Sequence, residues 1–215
     1  IASEIEQGLN RKERFQIALS GGSTPSKTYQ ILGERKLEWN RVDIFLGDER
    51  WVDERDQASN AGMINRTLLA SNYASKAVFY PVPTVQLTNP QESAKVYSKL
   101  LEKVCSAHPP QFDLILLGLG DDGHTASLFP RSKSLNIHEL FVTTANANGH
   151  ERISLTHPVL SSAKKIVFLV SGTSKQIALK RLLDPSESTE RTPARLVTPD
   201  SEILIIADQD SLALI

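Results

Sequence analysis

The sequence predicts an α/β fold of Rossmann-like type: an open, mostly parallel sheet with helices on both faces. Three observations predict it. Short apolar runs recur along the 215 residues. Stretches with helical spacing of apolar positions separate them, and several runs end in glycine-containing segments. Alternation of this kind builds parallel strands joined by crossover helices. A less regular stretch, 130–157, is expected to add a small irregular or antiparallel segment. The length suits one well-buried α/β unit and is short for two, so residues 1–215 are read as a single domain.

Taken in order, the chain opens at Ile1 without Met, in a stretch whose Ile1, Ile5 and Leu9 share one helical face. A targeting segment, if one exists, is therefore expected upstream of Ile1. The first strand is read at 15–19 (F-Q-I-A-L) and its helix at 25–36, with Thr24 as N-cap and Pro25 as the first helical residue. The second strand is 42–47. Helical patterns follow at 57–71 and 91–107, and a third strand at 112–118. Within 130–157, Phe141–Ala145 reads as a short strand, Asn148-Gly149 as a turn, and Arg152–Thr156 as a second strand. A strand at 164–171 leads to Thr173, suited to cap a helix over 174–183, and the last strand is 203–207. Residues 185–199 are polar and loop-like but too short to divide domains.

A net charge of −1 without clusters of Lys or Arg argues against nucleic acid or a membrane surface as partner. No apolar run approaches the roughly 20 residues that span a bilayer. A single cysteine, Cys105, leaves no internal disulfide and suits a reducing, cytoplasmic compartment; organellar targeting stays open because the sequence starts within a helix. Cys105 lies in a helical pattern and reads as a small packing residue. A monomer is the expected state, with a weak dimer as the alternative.

The most informative stretch is G-L-G-D-D-G-H-T-A-S-L-F-P at 118–130, directly after the third strand. In open α/β sheets ligands bind beyond the carboxyl ends of the strands, so Asp121, Asp122 and His124 are delivered where substrates sit. A carboxylate two residues from a histidine can orient the ring and keep it basic, which points to proton transfer. Three other readings compete. Gly118, Gly120 and Gly123 satisfy the dinucleotide pattern, but Asp121 and Asp122 would stand where pyrophosphate must approach. A Ca²⁺ or Zn²⁺ site on the same acids and His124 lacks ligand-rich spacing. A structural turn is the third.

Other strand ends favour an anion. Ser20-Gly21-Gly22-Ser23-Thr24-Pro25 opens a helix with free N–H groups, a phosphate cradle without the Walker pattern. Gly47-Asp48-Glu49-Arg50-Trp51 reads as the charged mouth of the second strand, with Arg50 offering a fork for phosphate and Trp51 a pocket wall. In Ser171-Gly172-Thr173-Ser174-Lys175, Lys175 opposes the dipole of its helix by about 0.3–1 kcal/mol, which makes sense if an anion shares that end. Together these describe a phosphomonoester site with His124 and the aspartates beside it. His108 and His138 read as loop or surface residues and His150 as a turn residue; His157, before Pro158, could approach the site.

These motifs resemble the 6-phosphogluconolactonase family, part of a wider group that includes glucosamine-6-phosphate deaminases. The resemblance rests on S-G-G-S-T-P at 20–25, G-D-E-R-W-V at 47–52, the segment 118–130 and S-G-T-S-K at 171–175, in the family's order. Arg152-Ile153-Ser154-Leu155-Thr156 resembles a further family segment, with Ser154 where Thr is common. Against that family, an N-terminal strand and most of the first helix are missing from this sequence. Deaminases similar to this chain carry Asp-Glu-Tyr at the positions of Asp48-Glu49-Arg50, and a relay glutamate where Phe129 stands here. Both differences favour a lactonase.

The resemblance implies hydrolysis of 6-phospho-D-glucono-1,5-lactone in the oxidative pentose phosphate pathway, with no cofactor and no metal. His124 is then the general base and Asp122 its orienting partner. Gly22, Ser23, Thr24, Arg50 and Lys175 hold phosphate, with Arg152 a weaker candidate and Gly123 beside the substrate. Asp48 faces the sugar hydroxyls or supports Arg50. Glycine-loop amides or Lys175 serve the oxyanion. The alternatives are a deaminase, or a sugar-phosphate binding module without catalysis.

Overall fold

The computed structural model describes residues 1–105 and 107–215. Its strands are β1 (Phe15–Leu19), β2 (Val42–Leu46), β3 (Asp48–Arg50), β4 (Val78–Tyr80), β5 (Leu114–Gly118), β6 (Val142–Ala147), β7 (His150–Leu155), β8 (Ile166–Val170) and β9 (Ile203–Ala207). The helices are α1 (Ala2–Leu9), α2 (Ser23–Gly33), α3 (Asn60–Arg66), α4 (Pro90–Val104), α5 (His157–Ser161), α6 (Gln176–Leu183) and α7 (Gln209–Leu212).

Six strands form one sheet in the order β4-β2-β1-β5-β8-β9, and every pairing in it is parallel. β1 and β2 are buried along their whole length, which explains why their sequences are apolar apart from Gln16 and Asp43 rather than alternating. Strand order runs outward from β1 one way through β2 and β4, and the other way through β5, β8 and β9. With right-handed crossovers, the helices of the two halves cover opposite faces. The reversal between β1 and β5 opens a crevice at their carboxyl ends, the place where such sheets bind ligands.

A second sheet, β3-β7-β6, is antiparallel. β6 and β7 form a hairpin closed by Asn148 (φ 53°) and Gly149 (φ 76°), the two left-handed positions a type I′ turn demands. α4 packs against both of these strands. The small antiparallel segment expected within 130–157, with its turn at Asn148-Gly149, is this hairpin.

The charged mouth read at the end of β2 is instead β3, paired residue for residue with β7: Asp48 with Ser154, Glu49 with Ile153, Arg50 with Arg152. Charges make a strand here because two of them face a cavity and the third is capped by a helix. β4 was not foreseen, being three residues long. The helix expected over 57–71 is regular only at Asn60–Arg66, and the one over 91–107 ends at Val104, with residue 106 outside the described residues. Cys105, just past that end, is buried, and burial pushes its thiol up to about 12, as suits a packing residue.

Candidate active site

A cavity of about 370 Å³ opens at the crevice between β1 and β5. Its walls carry Gly22, Ser23, Thr24, Asp48, Arg50, His124, Arg152 and Lys175. Five separate stretches of chain therefore converge on it.

The loop after β5 holds a preset pair. His124 Nδ1 lies 2.6 Å from Asp122 Oδ1, and the same oxygen accepts the His124 backbone N–H at 3.0 Å. An ionised Asp122 facing Nδ1 selects the Nδ1–H tautomer and leaves Nε2 with a free lone pair. Burial pushes the Asp122 carboxyl up, but its hydrogen bonds from the His124 ring and backbone outweigh that and hold it below the usual range. Gly120 makes room for the pair: a Cβ there would lie 2.0 Å from His124 Nδ1 and 2.7 Å from Asp122 Oδ1. The Phe129 ring, 4.6 Å from the imidazole, packs on it and offers no proton relay.

Gly123 turns away from the cavity. At φ 92° it backs onto Thr192, where a Cβ would come within 3.0 Å, so its work is to shape the loop. The loop amides are also occupied: Gly120 N–H donates to the His124 carbonyl and Gly123 N–H to the Gly120 carbonyl. Together with the His124 amide, three candidates for an oxyanion hole are committed inside the loop.

α2 starts one residue before the expected cap. Gly22, at φ 107°, is the N-cap and Ser23 the first helical residue. The chain must turn sharply from β1 into α2, and glycine adopts that backbone without penalty while Thr24 does not. Pro25 still falls among the first four residues, whose N–H groups have no helical partner. The same solution recurs after β8, where Gly172 at φ 97° replaces Thr173 as cap of a short 3₁₀ turn, Thr173–Lys175, leading into α6. Asp208 fastens that turn by accepting from Ser171 Oγ at 2.6 Å and from Gly172 N–H at 3.1 Å.

Charge is distributed unevenly around the cavity. Lys175 is in an ion pair with Asp121, which also accepts from Ser174 Oγ at 3.2 Å. The Lys175 ammonium is the main cause of a lowered Asp121 carboxyl. Arg50 and Arg152 stand opposite each other across β3 and β7, and each keeps a buried Nε–H without a partner. Arg152 is only 6% exposed, and among the described residues its one carboxylate partner is Asp48, 3.8 Å away. Burial, then the neighbouring Arg50 cation, weakens its hold on its proton, although a guanidinium stays charged regardless. Arg152, ranked below Arg50 and Lys175 from sequence, is thus a buried cation that only a long ion pair neutralises, less engaged than Lys175. Arg50 donates to the Ala58 carbonyl at 2.6 Å.

Asp48 does not support Arg50. Its carboxylate accepts from Ser127 Oγ at 2.6 Å and Asn60 Nδ2 at 3.3 Å. Asn60 belongs to no motif, Ser127 lies in the 118–130 segment without a role assigned from sequence, and only the fold brings them to Asp48. Gly21 permits the approach, because a Cβ there would sit 1.8 Å from Asn60 Oδ1. Ser20 opens the S-G-G-S-T-P motif but carries no role assigned from sequence: its buried hydroxyl, on the cavity wall, has no partner among the described residues. Trp51 lies outside the cavity lining and ties to α4 through Ser93 Oγ at 3.1 Å. His157 likewise lies elsewhere, edge-on to His138 with ring centroids 4.8 Å apart.

The glucosamine-6-phosphate isomerase/6-phosphogluconolactonase family model matches residues 1–206. The chain belongs to this family. It is similar to a protein of Synechocystis sp. named 6-phosphogluconolactonase, 37% identical over 214 residues, which covers 98% of this chain and 89% of the relative. A 6-phosphogluconolactonase of Nostoc sp. is 35% identical over 211 residues, covering 97% and 88%. Among solved structures, a 6-phosphogluconolactonase from Shewanella baltica matches with a TM-score of 0.87 at 28% identity, over 96% of this chain and 88% of that one. Family membership leaves two chemistries, and the site separates them: Arg50 and Phe129 occupy the positions where a deaminase resembling this chain would carry tyrosine and glutamate.

Proposed function

We infer that this chain, as one α/β domain, hydrolyses 6-phospho-D-glucono-1,5-lactone to 6-phospho-D-gluconate, the lactone-opening step of the oxidative pentose phosphate pathway. The observation that carries the reading is the Asp122–His124 pair at a cavity that Arg50 and Arg152 also line. The relatives named above support the same substrate.

His124 Nε2 takes a proton from water as the water oxygen attacks the lactone C1. The tetrahedral intermediate collapses with cleavage of the bond from C1 to the ring oxygen, and the imidazolium returns its proton to that oxygen. Asp122 fixes the tautomer beforehand and stabilises the imidazolium between the two transfers. A lactone carbonyl is an activated ester, so general-base assistance suffices chemically. The phosphate is held by the first N–H groups of α2, Arg50 and Arg152, with Lys175 joining once it leaves Asp121. Asp48, fixed by Ser127 and Asn60, faces the sugar hydroxyls. The substrate is small and soluble, and among the described residues no helix is long and apolar enough to cross a membrane. A cytoplasmic setting fits both this substrate and a lone cysteine.

The test is proton release from freshly made 6-phosphogluconolactone, set against unphosphorylated gluconolactone and the uncatalysed background. The phosphorylated lactone alone should be accelerated, and His124→Ala should lower kcat by about 10²–10⁴-fold with KM little changed. A fully active His124→Ala removes the assigned base. Ammonia release from glucosamine 6-phosphate without lactone hydrolysis overturns the substrate.

A further inference from the structure

Glu49 lies between two residues that face the cavity, yet points the other way. Side chains alternate along a strand, so Asp48 and Arg50 line the cavity while Glu49 projects towards α3. There it is 1% exposed and fully used. Oε1 accepts from the backbone N–H of Arg50 at 2.7 Å and of Asn60 at 2.8 Å. Oε2 accepts from the Ala61 N–H at 2.7 Å and the Ser59 hydroxyl at 3.3 Å. Asn60 and Ala61 open α3, and Ser59 Oγ accepts from the next amide, Gly62, at 3.0 Å. One carboxylate therefore joins the strand bearing Asp48 and Arg50 to the helix bearing Asn60, which itself donates to the Asp48 carbonyl at 2.8 Å.

We propose that Glu49 is a positioning residue whose negative charge sets substrate affinity, by clamping β3 to the amino end of α3 and so fixing the spacing of Asp48, Arg50 and Asn60. The inference rests on the lactonase reading. All four contacts are made by donors, so each needs a lone pair on the carboxylate. A proton on either oxygen replaces a lone pair with a donor facing donors, and removes the negative charge favoured at a helix start. The clamp then loosens on the wall that carries Asp48 and Arg50, whereas none of the four Glu49 contacts involves Asp122 or His124.

The protonation is within reach of ordinary conditions. Burial pushes the Glu49 carboxyl up to about 7, against the pull of the Ala61, Asn60 and Arg50 amides, and the Asp48 charge adds to the rise. The charged and titratable groups around it are Asp48 and Arg50 on its own strand, Arg152 on β7 and Tyr97 on α4. Asp53, Glu54 and Arg55 share with it the wall of a second cavity, of about 530 Å³.

The experiment compares KM and kcat for 6-phosphogluconolactone in wild type and Glu49→Gln from pH 6.5 to 8.5. If only ionised Glu49 supports binding, a group titrating at about 7 raises the wild-type KM roughly fourfold from pH 8.5 to 6.5. The substrate phosphate, with a second pKa of about 6, adds only about 1.3-fold over that range. Glu49→Gln should have a KM raised about tenfold at pH 8 and nearly flat with pH, with kcat within about threefold of wild type. A wild-type KM that stays flat overturns the proposal even if the variant fails to fold. So does a Glu49→Gln enzyme with the wild-type KM profile, or one that loses kcat alone. Wild-type turnover of the phosphorylated lactone reports separately on the lactonase reading.

Discussion

Gly120→Ala dismantles the proposed base without removing any group that performs chemistry. The Gly120 φ lies outside the left-handed region, so alanine fits the backbone and the perturbation is steric. Its Cβ would meet His124 Nδ1 at 2.0 Å, Cε1 at 2.2 Å and Asp122 Oδ1 at 2.7 Å, whereas ordinary contact begins at 3.4 Å. The imidazole must therefore retreat by about 1.4 Å or swing off Asp122, and either movement breaks the 2.6 Å hydrogen bond that selects the tautomer. A misplacement of about 1 Å costs on the order of 10²-fold, and losing the base entirely costs up to about 10⁴-fold, so kcat should fall by at least about 10². KM should move little, because the phosphate contacts proposed above come from α2, β3 and β7, and the atoms a Cβ at Gly120 would meet belong to His124 and Asp122. Overpacking costs about 1–3 kcal/mol, which at this chain length lowers Tm by several degrees without unfolding the protein at 25 °C. The assay is steady-state proton release, with a thermal melt on the same sample. A kcat within threefold of wild type at an unchanged Tm refutes the steric argument and, with it, the role given to the pair.

The cation assignments yield two further expectations. Arg152→Ala removes a charge-assisted contact worth about 1.5–3 kcal/mol, so KM for the phosphorylated lactone should rise roughly tenfold to a hundredfold; an unaltered KM would place the phosphate away from β7. Asp121→Asn frees Lys175 from a partly exposed ion pair worth at most about 1 kcal/mol, so KM should fall by up to about fivefold, and less at high salt. A tenfold rise in KM would instead mean that Asp121 aims Lys175 rather than competing for it.

The parallel sheet was legible because its central strands are buried and largely apolar, and β9 at the edge is apolar although mostly exposed. β1 and β9 fall where the apolar pattern puts them, and β5 and β8 within two residues. The glycine loops were legible for a related reason: glycine after such a run marks a turn at a strand's carboxyl end. What the sequence obscured was which residue performs each turn. Thr24 and Thr173 are good caps by type, but the backbone needs positive φ one or two residues earlier, and Gly22 and Gly172 supply it. Trp51 misled because an indole beside charges fits a pocket wall and a buried hydrogen bond equally well.

The deeper omission was β3. A strand of Asp, Glu and Arg breaks every apolar pattern by which strands are recognised, because its side chains are placed by a cavity on one face and a helix start on the other. Asn60, Ser127 and Ser154 could not be assigned without it, and Arg152 could not be ranked, since each acts through residues of that strand. The site thus has two halves of different legibility. Loops of the parallel sheet carry the proposed base and announce themselves with glycines, while the antiparallel sheet carries the charges proposed to hold the substrate and departs from local rules to place them. Departures of this kind are expected where function rather than folding selects the residue. A buried carboxylate such as Glu49 is the clearest instance: it costs stability as pH rises from about 4.5 to 7, because the folded state holds its proton more tightly than the unfolded chain does. A residue retained for stability would not carry that cost, whereas one that sets the spacing of Asp48, Arg50 and Asn60 must.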